Sequence, residues 1–300
     1  MTNGIWTSDP ALPQQAAQRN LLQAGDVDRL VGRLVRRLRS EGLFDRALIV
    51  LTADHGISFR PGTSRRTARG PAAADVLGIP LFVKAPRQRR GGIDDRHATT
   101  ADVLPTIADA LEIELRWPID GRSLFGPPRP RSEPVSVSVF PTRERVEIPF
   151  EEYVRMRDRE VHATRFRRGD ARGPAGIYAP GVDFDLFGRA ISGLGSAREG
   201  EARVALDRAE AYRSVDPEAS VIPAFVSGRI IDAPSGPLRV AVVVNGIIRA
   251  VAPAYDSGGE TRFGTLVPPA SFRRGSNDVQ IYRLAAEGEL RRALLVPRDG

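Results

Sequence analysis

The chain has 300 residues, enough for one large or two ordinary domains. Its 41% apolar and 27% charged residues are typical of a globular protein, no window resembles a membrane span, and the absence of Cys excludes disulfides and thiolate chemistry. The net charge is +7, but Lys84 is the only lysine and the other 43 basic residues are scattered Arg, so we expect no nucleic-acid interface. The N-terminus lacks the features of a secretion signal, which leaves the localisation open.

A long helix is predicted from Pro13 to about Arg39. Apolar residues in its second half recur at the spacing of one helix face. They are Val27, Leu30, Val31, Leu34, Val35 and Leu38. We expect this stripe to face a core and the interspersed Arg residues to be solvated.

A strand buried on both faces is predicted next, because residues 48–51 form a continuous apolar run rich in β-branched side chains. It ends in Asp54-His55-Gly56, at the edge of a sheet where α/β proteins bind ligands. Carboxylate and imidazole are good ligands for a divalent ion, and Gly56 lets the backbone turn without a side chain crowding the site. The pattern predicts two metal ligands, with an ordinary polar turn as the alternative.

A second buried strand is predicted at residues 79–85, flanked by Pro80 and Pro86. A helix follows, with Thr100 as its cap and Asp102 in its first turn, where a carboxylate favours the helix dipole. We assign Asp102 a structural role. The apolar stripe of this helix consists of Leu104, Ile107, Ala108 and Leu111.

Four segments in this order resemble the sulfatase and phosphoglycerol-transferase branch of the alkaline phosphatase superfamily. They are DVDRLVGRLVRRLRSEGLFDRALIVLTADHG, IPLFVKAP, TADVLPTI and DGRSL. The resemblance covers residues 14–126. It implies an α/β fold, namely part of an alkaline-phosphatase-like sheet sandwiched by helices, with residues 1–126 as the C-terminal half of the catalytic domain.

The resemblance also implies a metal-dependent hydrolase or transferase that acts on anionic sulfate or phosphate esters. Asp54 and His55 would then be ligands of Mn²⁺, Mg²⁺, Ca²⁺ or Zn²⁺, among which the sequence does not choose.

Three basic residues are candidates for binding the substrate anion: Arg65, Arg66 and Lys84. A planar guanidinium can bind an oxyanion through two hydrogen bonds. The alternatives are a solvated basic loop for the two Arg residues and a contact at the strand end for Lys84. His97 could reach a second metal, although a structural role is favoured.

Family members carry further acidic ligands and the nucleophile upstream of these motifs, and no C-x-P-x-R or S-x-P-x-R segment occurs here. We therefore expect a fragment without the nucleophile half, from a truncation or a misplaced start, whose enzymatic activity stays open. The alternatives are a non-catalytic sulfatase-fold binding or structural protein, and one half of a split enzyme with a separately encoded N-terminal half. Full-length relatives are often membrane-tethered with an extracytoplasmic catalytic domain.

The composition changes after Gly126. Residues 127–219 are predicted to be a linker and mixed extension, with a strand at 135–140, a helix at 150–162, a loop at 167–184 and a surface helix at 202–212. Residues 220–300 contain five or six short strands, two of them joined by Asn245-Gly246, a strong hairpin signal. They predict a small all-β, sandwich-like appendage with a structural role.

Overall fold

The computed structural model describes residues 4–139, 144–164, 177–178, 184–194, 198–233, 236–284 and 290–297. The chain divides into two compact units. The first, called the α/β unit below, comprises Met1–Trp6 and Gly25–Arg165, and the second, called the β unit, comprises Thr7–Ala24 and Phe166–Gly300. Most of the loop predicted at residues 167–184 lies outside the described residues. None of the described helices is long and apolar enough to cross a membrane.

Helices and strands both occur in the α/β unit. The helices are α1 (Ala11–Ser40), α2 (Ala73–Leu77), α3 (Val103–Ala110) and α4 (Phe150–Thr164), and the strands are β1 (Ile49–Thr52), β2 (Leu81–Lys84), β3 (Val135–Val139) and β4 (Glu144–Ile148). Helix α1 is divided between the units, because its residues up to Ala24 group with the β unit. The predicted segmentation had instead placed this whole helix with the α/β segment.

The two strands that flank the Asp54-His55 pair form a separate antiparallel sheet, in which Ile49 is paired with Lys84 and Thr52 with Leu81. Both strands were predicted to be fully buried. The prediction is wrong for the described structure, since every residue of β1 and β2 is at least partly exposed. A sheet of two strands has two open edges and too little surface around it to bury either face.

The apolar interior of the α/β unit is small. Its buried hydrophobic residues are Trp6, Ala68, Ala72, Ala73, Ala74, Val76, Ala108 and Phe150, most of them Ala. The predicted α1 stripe does not contribute, because no residue of α1 after Gln18 is buried. Leu30 and Leu34 are 56% and 53% exposed. The expectation that this stripe faces a core is therefore wrong for the described residues.

The interior beside α3 contains a buried ion pair between Arg129 and Asp102. The Arg129 guanidinium donates to both carboxylate oxygens of Asp102 at 2.5 and 2.6 Å, and the side chains are 6% and 0% exposed. Asp102 also accepts hydrogen bonds from the backbone N–H groups of Thr99 and Arg122, both at 2.8 Å. Burial alone would raise the pKa of Asp102, but the hydrogen bonds from Arg129 and the two backbone groups lower it.

These contacts agree with the structural role predicted for Asp102. The observed helix cap lies one residue before the predicted one. Thr99 and Asp102 form a capping box at a 3-10 turn, Thr100–Asp102, that leads into α3, so Thr99 and not Thr100 is the cap. The helix α3 buries Pro105, Thr106 and Ala108. The larger residues of the predicted stripe, Leu104 and Leu111, remain 48% and 56% exposed.

The β unit contains one sheet of eight strands. They are β5 (Arg198–Leu206), β6 (Phe225–Ile231), β7 (Arg239–Val244), β8 (Ile247–Pro253), β9 (Tyr255–Ser257), β10 (Glu260–Leu266), β11 (Val279–Leu284) and β12 (Leu290–Val296), in the order β8-β7-β11-β12-β5-β6-β10-β9. All pairs are antiparallel except β12 with β5. Its core includes Val226, Val242, Phe263 and Ile281, all 0% exposed. Asn245-Gly246 joins β7 and β8 as predicted, with φ angles of 52° and 80°.

The helix predicted at residues 202–212 is wrong for its first half, and only Ala209–Tyr212 is helical, as one 3-10 turn. Residues up to Leu206 instead belong to β5, which pairs with β12 on one side and β6 on the other. The Ala and Arg residues there favour a helix locally, but two neighbouring strands supply the hydrogen bonds and bury Val204 and Leu206.

Replacing Arg129 with Met should lower the free energy of unfolding of the α/β unit by about 3–5 kcal/mol, because the Asp102 charge is left buried without a partner. Urea unfolding of the full chain, followed by tryptophan fluorescence, reports on this unit, since the two Trp residues, Trp6 and Trp117, both lie in it. Arg89→Met is the control: its ion pair with Asp45 is exposed at 77% and 55% and should contribute about 1 kcal/mol or less. Equal losses in the two variants would contradict the role given to Arg129.

Candidate metal centre

Asp54 and His55 lie directly after β1, where the strand gives way to a loop. Asp54 Oδ1 accepts a hydrogen bond from the His55 backbone N–H at 2.9 Å, which orients the carboxylate toward the ring. His55 Nδ1 lies 2.8 Å from the Gly56 carbonyl oxygen. Because a carbonyl only accepts, Nδ1 carries the proton in the neutral ring, and Nε2 keeps its lone pair.

The two free ligand atoms converge. His55 Nε2 and Asp54 Oδ2 are 3.6 Å apart. Two ligands that each lie about 2.1 Å from one tetrahedral ion are about 3.4 Å apart, so this separation suits a shared divalent ion. The carbonyl that holds Nδ1 is the kind of outer partner that commonly orients a metal-binding histidine.

The pair is open to solvent and incomplete as a metal site. The Asp54 and His55 side chains are 87% and 38% exposed. The described residues contain no group of three or more His, Cys, Asp or Glu side chains that could hold a metal ion. Asp54 and His55 therefore suit two positions in the coordination shell of a metal ion, and the described residues supply no third.

Asp54 is ionised at neutral pH. Its pKa is lowered first by the hydrogen bond from the His55 backbone N–H, and the charge of Arg66 adds to this effect. An ionised carboxylate is the form that binds a cation, so Asp54 is ready to act as a ligand at neutral pH.

The close packing of Gly56 against α2 sets the direction of the loop. The Gly56 N–H donates to the Val76 carbonyl at 2.7 Å. A Cβ atom at this position would lie 2.0 Å from the Asp75 carbonyl oxygen, which no side chain tolerates. Gly56 is thus required for backbone contact, in addition to the predicted freedom to turn.

The loop that follows is held by residues that the sequence reasoning missed. Ser58 is fully buried and donates through Oγ to Asp75 at 2.8 Å, and Arg60 Nε donates to the same carboxylate at 2.9 Å. The Trp6 indole N–H donates to the Ser58 carbonyl at 2.7 Å. Asp75 and Trp6 are distant from this loop in sequence, so no spacing rule pointed to them.

Arg65 and Arg66 differ in what they contact. The Arg65 guanidinium lies over the Trp6 ring, 5.4 Å from its centre. Arg66 is exposed and contributes to the field that lowers the pKa of Asp54. Its guanidinium has no hydrogen-bond or ion-pair partner among the described residues. Of the two, Arg66 is the one that acts on the charge of Asp54.

Lys84 lies at the other end of the β1–β2 sheet. It is paired with Ile49, three residues along β1 from Thr52 and so about 10 Å from the end that carries Asp54. Its ammonium donates to the carbonyls of Phe44, Asp45 and Ala47. These contacts match the strand-end alternative, and we leave Lys84 out of the proposed anion site.

His97, the other candidate ligand, is 5% exposed and stacks on the Phe150 ring with 4.7 Å between the ring centres. Neither ring nitrogen has a hydrogen-bond partner among the described residues. Burial lowers the pKa of His97, and the charge of Arg129 adds to this effect, while Glu133 and Asp102 oppose it. The neutral, stacked ring fits the structural role favoured from the sequence.

Comparison with known proteins identifies a family that part of this chain resembles. The model of the Sulfatase family matches residues 7–113. The multifunctional alkaline phosphatase superfamily protein PehA of Trinickia caryophylli is 34% identical over 102 residues, which are 33% of this chain and 20% of that protein. Human N-sulphoglucosamine sulphohydrolase is 29% identical over 137 residues, 41% of this chain and 25% of that protein. The matches thus span a fifth to a quarter of these relatives, and no solved structure matches significantly.

Acidification should destabilise the α/β unit through His97. The unfolded chain takes up a proton below about pH 6.5, whereas the buried ring resists it, so stability present above that pH is lost as the pH falls toward the lower folded-state pKa. The slope from this residue is at most about 1.4 kcal/mol per pH unit. Urea unfolding monitored by tryptophan fluorescence between pH 7.5 and about 5 measures it.

His97→Phe is the matched variant for this measurement, because it keeps the stacking on Phe150 and removes the titrating nitrogens. The variant should lose less stability than the natural chain over the same interval. Superimposable pH profiles would show that His97 does not contribute.

Proposed function

Since residues 7–113 belong to the sulfatase-like branch of the alkaline phosphatase superfamily, we propose that Asp54 and His55 form part of a divalent-metal site that acts on sulfate or phosphate esters. The observation that carries this proposal is the 3.6 Å convergence of Asp54 Oδ2 and His55 Nε2, with Nδ1 turned onto the Gly56 carbonyl. When bound, the metal would stabilise negative charge on the ester oxygens and lower the pKa of a coordinated nucleophile.

The residues of the chain have distinct roles in this proposal. Asp54 supplies the ionised ligand, and Gly56 holds the His55 ring in the tautomer that presents Nε2. Arg66 binds an oxygen of the sulfate or phosphate group from beside Asp54. One carboxylate and one imidazole favour Zn²⁺ or Mn²⁺ over Mg²⁺ and Ca²⁺, which prefer oxygen ligands.

No nucleophile is assigned to the loop. Ser58, the nearest hydroxyl after the pair, is fully buried and donates to Asp75, and Thr63 donates to the Arg60 carbonyl. We propose that the α/β unit is the C-terminal part of a catalytic domain, that the nucleophile comes from the other part, and that the β unit is a structural appendage.

A second candidate is a sulfatase-fold protein that binds an anionic ligand without turnover. It is favoured by one observation, namely that the described residues supply two metal ligands and no third. Turnover separates the two candidates, because a binding protein should take up metal and anion without hydrolysing an aryl sulfate or aryl phosphate ester.

Asp54→Asn should weaken binding of Mn²⁺ and Zn²⁺ to the full chain at least about tenfold, because the amide removes the ionised ligand while it keeps the shape of the side chain. Isothermal titration calorimetry measures the affinities. Asp28→Asn is the control, since Asp28 is equally an exposed carboxylate but lies on α1. Unchanged affinity in Asp54→Asn would refute the assignment.

Arg66→Gln should weaken the binding of inorganic sulfate or phosphate to the metal-loaded chain by about 10-fold or more, since a hydrogen bond to a charged group contributes about 1.5–3 kcal/mol. Arg65→Gln removes the same charge one residue away and should have the smaller effect, because its guanidinium lies over Trp6. Titration calorimetry of the two variants compares them. A larger loss in Arg65→Gln would transfer the anion site to that residue.

A further inference from the structure

We propose that a cleft in the α/β unit, called the α4 cleft below, binds a small linear zwitterion. Such a molecule has an ammonium group at one end, a carboxylate at the other and an apolar body between them, as a short peptide with free ends does. The cleft is lined by residues of α4, β4 and the segment 68–73, and its volume of about 550 Å³ is in the range of small-molecule sites. It is a further site, because Asp54, His55 and Arg66 are not among the described residues that line it.

The inner surface of the α4 cleft is apolar. Strand β4 places Val146 and Ile148 on one face, because side chains alternate along a strand, and α4 adds Met156. All three are partly exposed. Ala68 and Ala73 are buried, at 5% and 1% exposed, and their side chains are too small to fill the space. A ligand with an apolar body is therefore stabilised by covering this surface.

Three of the charged groups around the cleft already have partners. Arg69 forms an ion pair with Glu144, which joins the segment 68–73 to β4. Arg60 donates through Nε to Asp75 at 2.9 Å. A ligand that bound these groups would have to compete with an existing ion pair, so they are not its main partners.

Two charged residues of α4 remain available to a ligand. Neither the Glu152 carboxylate nor the Arg159 guanidinium has a hydrogen-bond or ion-pair partner among the described residues, and both side chains are exposed. They are separated by two helical turns, so they lie on one face of α4 about 10 Å apart with Met156 between them. The cleft thus presents a negative group, an apolar surface and a positive group in that order.

This order of groups identifies the ligand by its charges. A ligand ammonium can pair with Glu152, an apolar body can cover Met156, and a carboxylate can accept two hydrogen bonds from Arg159. An extended tripeptide with free ends has its charged groups about 10 Å apart, which matches the separation along α4. A zwitterion of half that length reaches only one of the two side chains.

Two simpler occupants use only part of the cleft. An inorganic anion such as sulfate meets Arg159 but covers no apolar surface and gains nothing from Glu152. An internal segment of a folded protein covers the apolar surface, but the buried centres of protein interfaces are poor in charged residues. Five of the twelve described residues that line this cleft are charged.

The two methionines of the chain make a site-specific test possible. They are Met1 and Met156, so the full chain labelled with ¹³C at the methionine methyl groups gives one resonance from the cleft and one reference resonance. Met156→Leu assigns them. The tripeptide Gly-Leu-Gly should shift the Met156 resonance in a saturable way. An unmoved Met156 resonance at about 20 mM peptide would overturn the proposal, because the affinity would then be too weak for a specific site.

Blocking the peptide ends tests the two charges separately. N-acetyl-Gly-Leu-Gly lacks the ammonium and Gly-Leu-Gly-amide lacks the carboxylate, and each should bind about threefold more weakly, since an exposed ion pair contributes modestly. Gly-Gly-Gly keeps both charges but lacks the apolar side chain, and it should also bind more weakly. Equal affinity of the doubly blocked peptide would overturn the proposal in favour of an internal polypeptide segment. Equal affinity of sulfate would overturn it in favour of a simple anion.

Protein variants assign each charge to its partner. Glu152→Gln should weaken Gly-Leu-Gly binding about threefold and leave the affinity of the acetylated peptide unchanged, because that peptide has no ammonium to lose a partner. Arg159→Gln should weaken Gly-Leu-Gly to the same extent and leave the amidated peptide unchanged. Arg155→Gln is the control, since Arg155 is exposed on α4 but does not line the cleft.

All three variants should keep the fold, because the substituted side chains are exposed, and circular dichroism checks this. Equal losses in Arg155→Gln and Arg159→Gln would show that only the overall charge of the chain matters, and would contradict the site. So would an effect of Glu152→Gln that is the same for the free and the acetylated peptide.

Discussion

The buried ion pair between Asp102 and Arg129 is the interaction on which the α/β unit depends. The unit has little apolar interior, and Ala supplies most of it. Asp102 instead gathers hydrogen bonds from Arg129, Thr99 and Arg122, which belong to separate segments. Each of these bonds is strong because it is buried and charged, and for the same reason the loss of one partner is costly.

The candidate metal centre depends on a second close contact, the approach of Gly56 to the backbone of α2. That contact fixes the loop, and the Gly56 carbonyl then fixes the His55 ring. The ligand atoms of Asp54 and His55 converge because they are neighbours in sequence and both are held by backbone groups. Both side chains are open to solvent, 87% exposed for Asp54 and 38% for His55.

The two units differ in how completely they bury their large apolar side chains and in how many strands they pair. The β unit buries large residues such as Phe263 and Ile281 completely within its eight-stranded sheet. The α/β unit leaves Leu30, Leu34 and Phe82 exposed and pairs only two strands around its ligands. The contrast shows that large apolar side chains are covered mainly in the β unit.

The sequence by itself determined the local features: the amphipathic α1, the Asp54-His55 pair at a strand end, the Asn245-Gly246 hairpin and most of the strands after Phe225. These follow from periodicity and turn chemistry, which act over a few residues. The tertiary structure alone decided that residues 198–206 form a strand, that Lys84 lies away from Asp54, and that Trp6 and Asp75 hold the site loop. It also decided that no residue of the α1 stripe is fully buried, because periodicity shows which face of a helix is apolar, whereas burial depends on whether another element lies there to cover it.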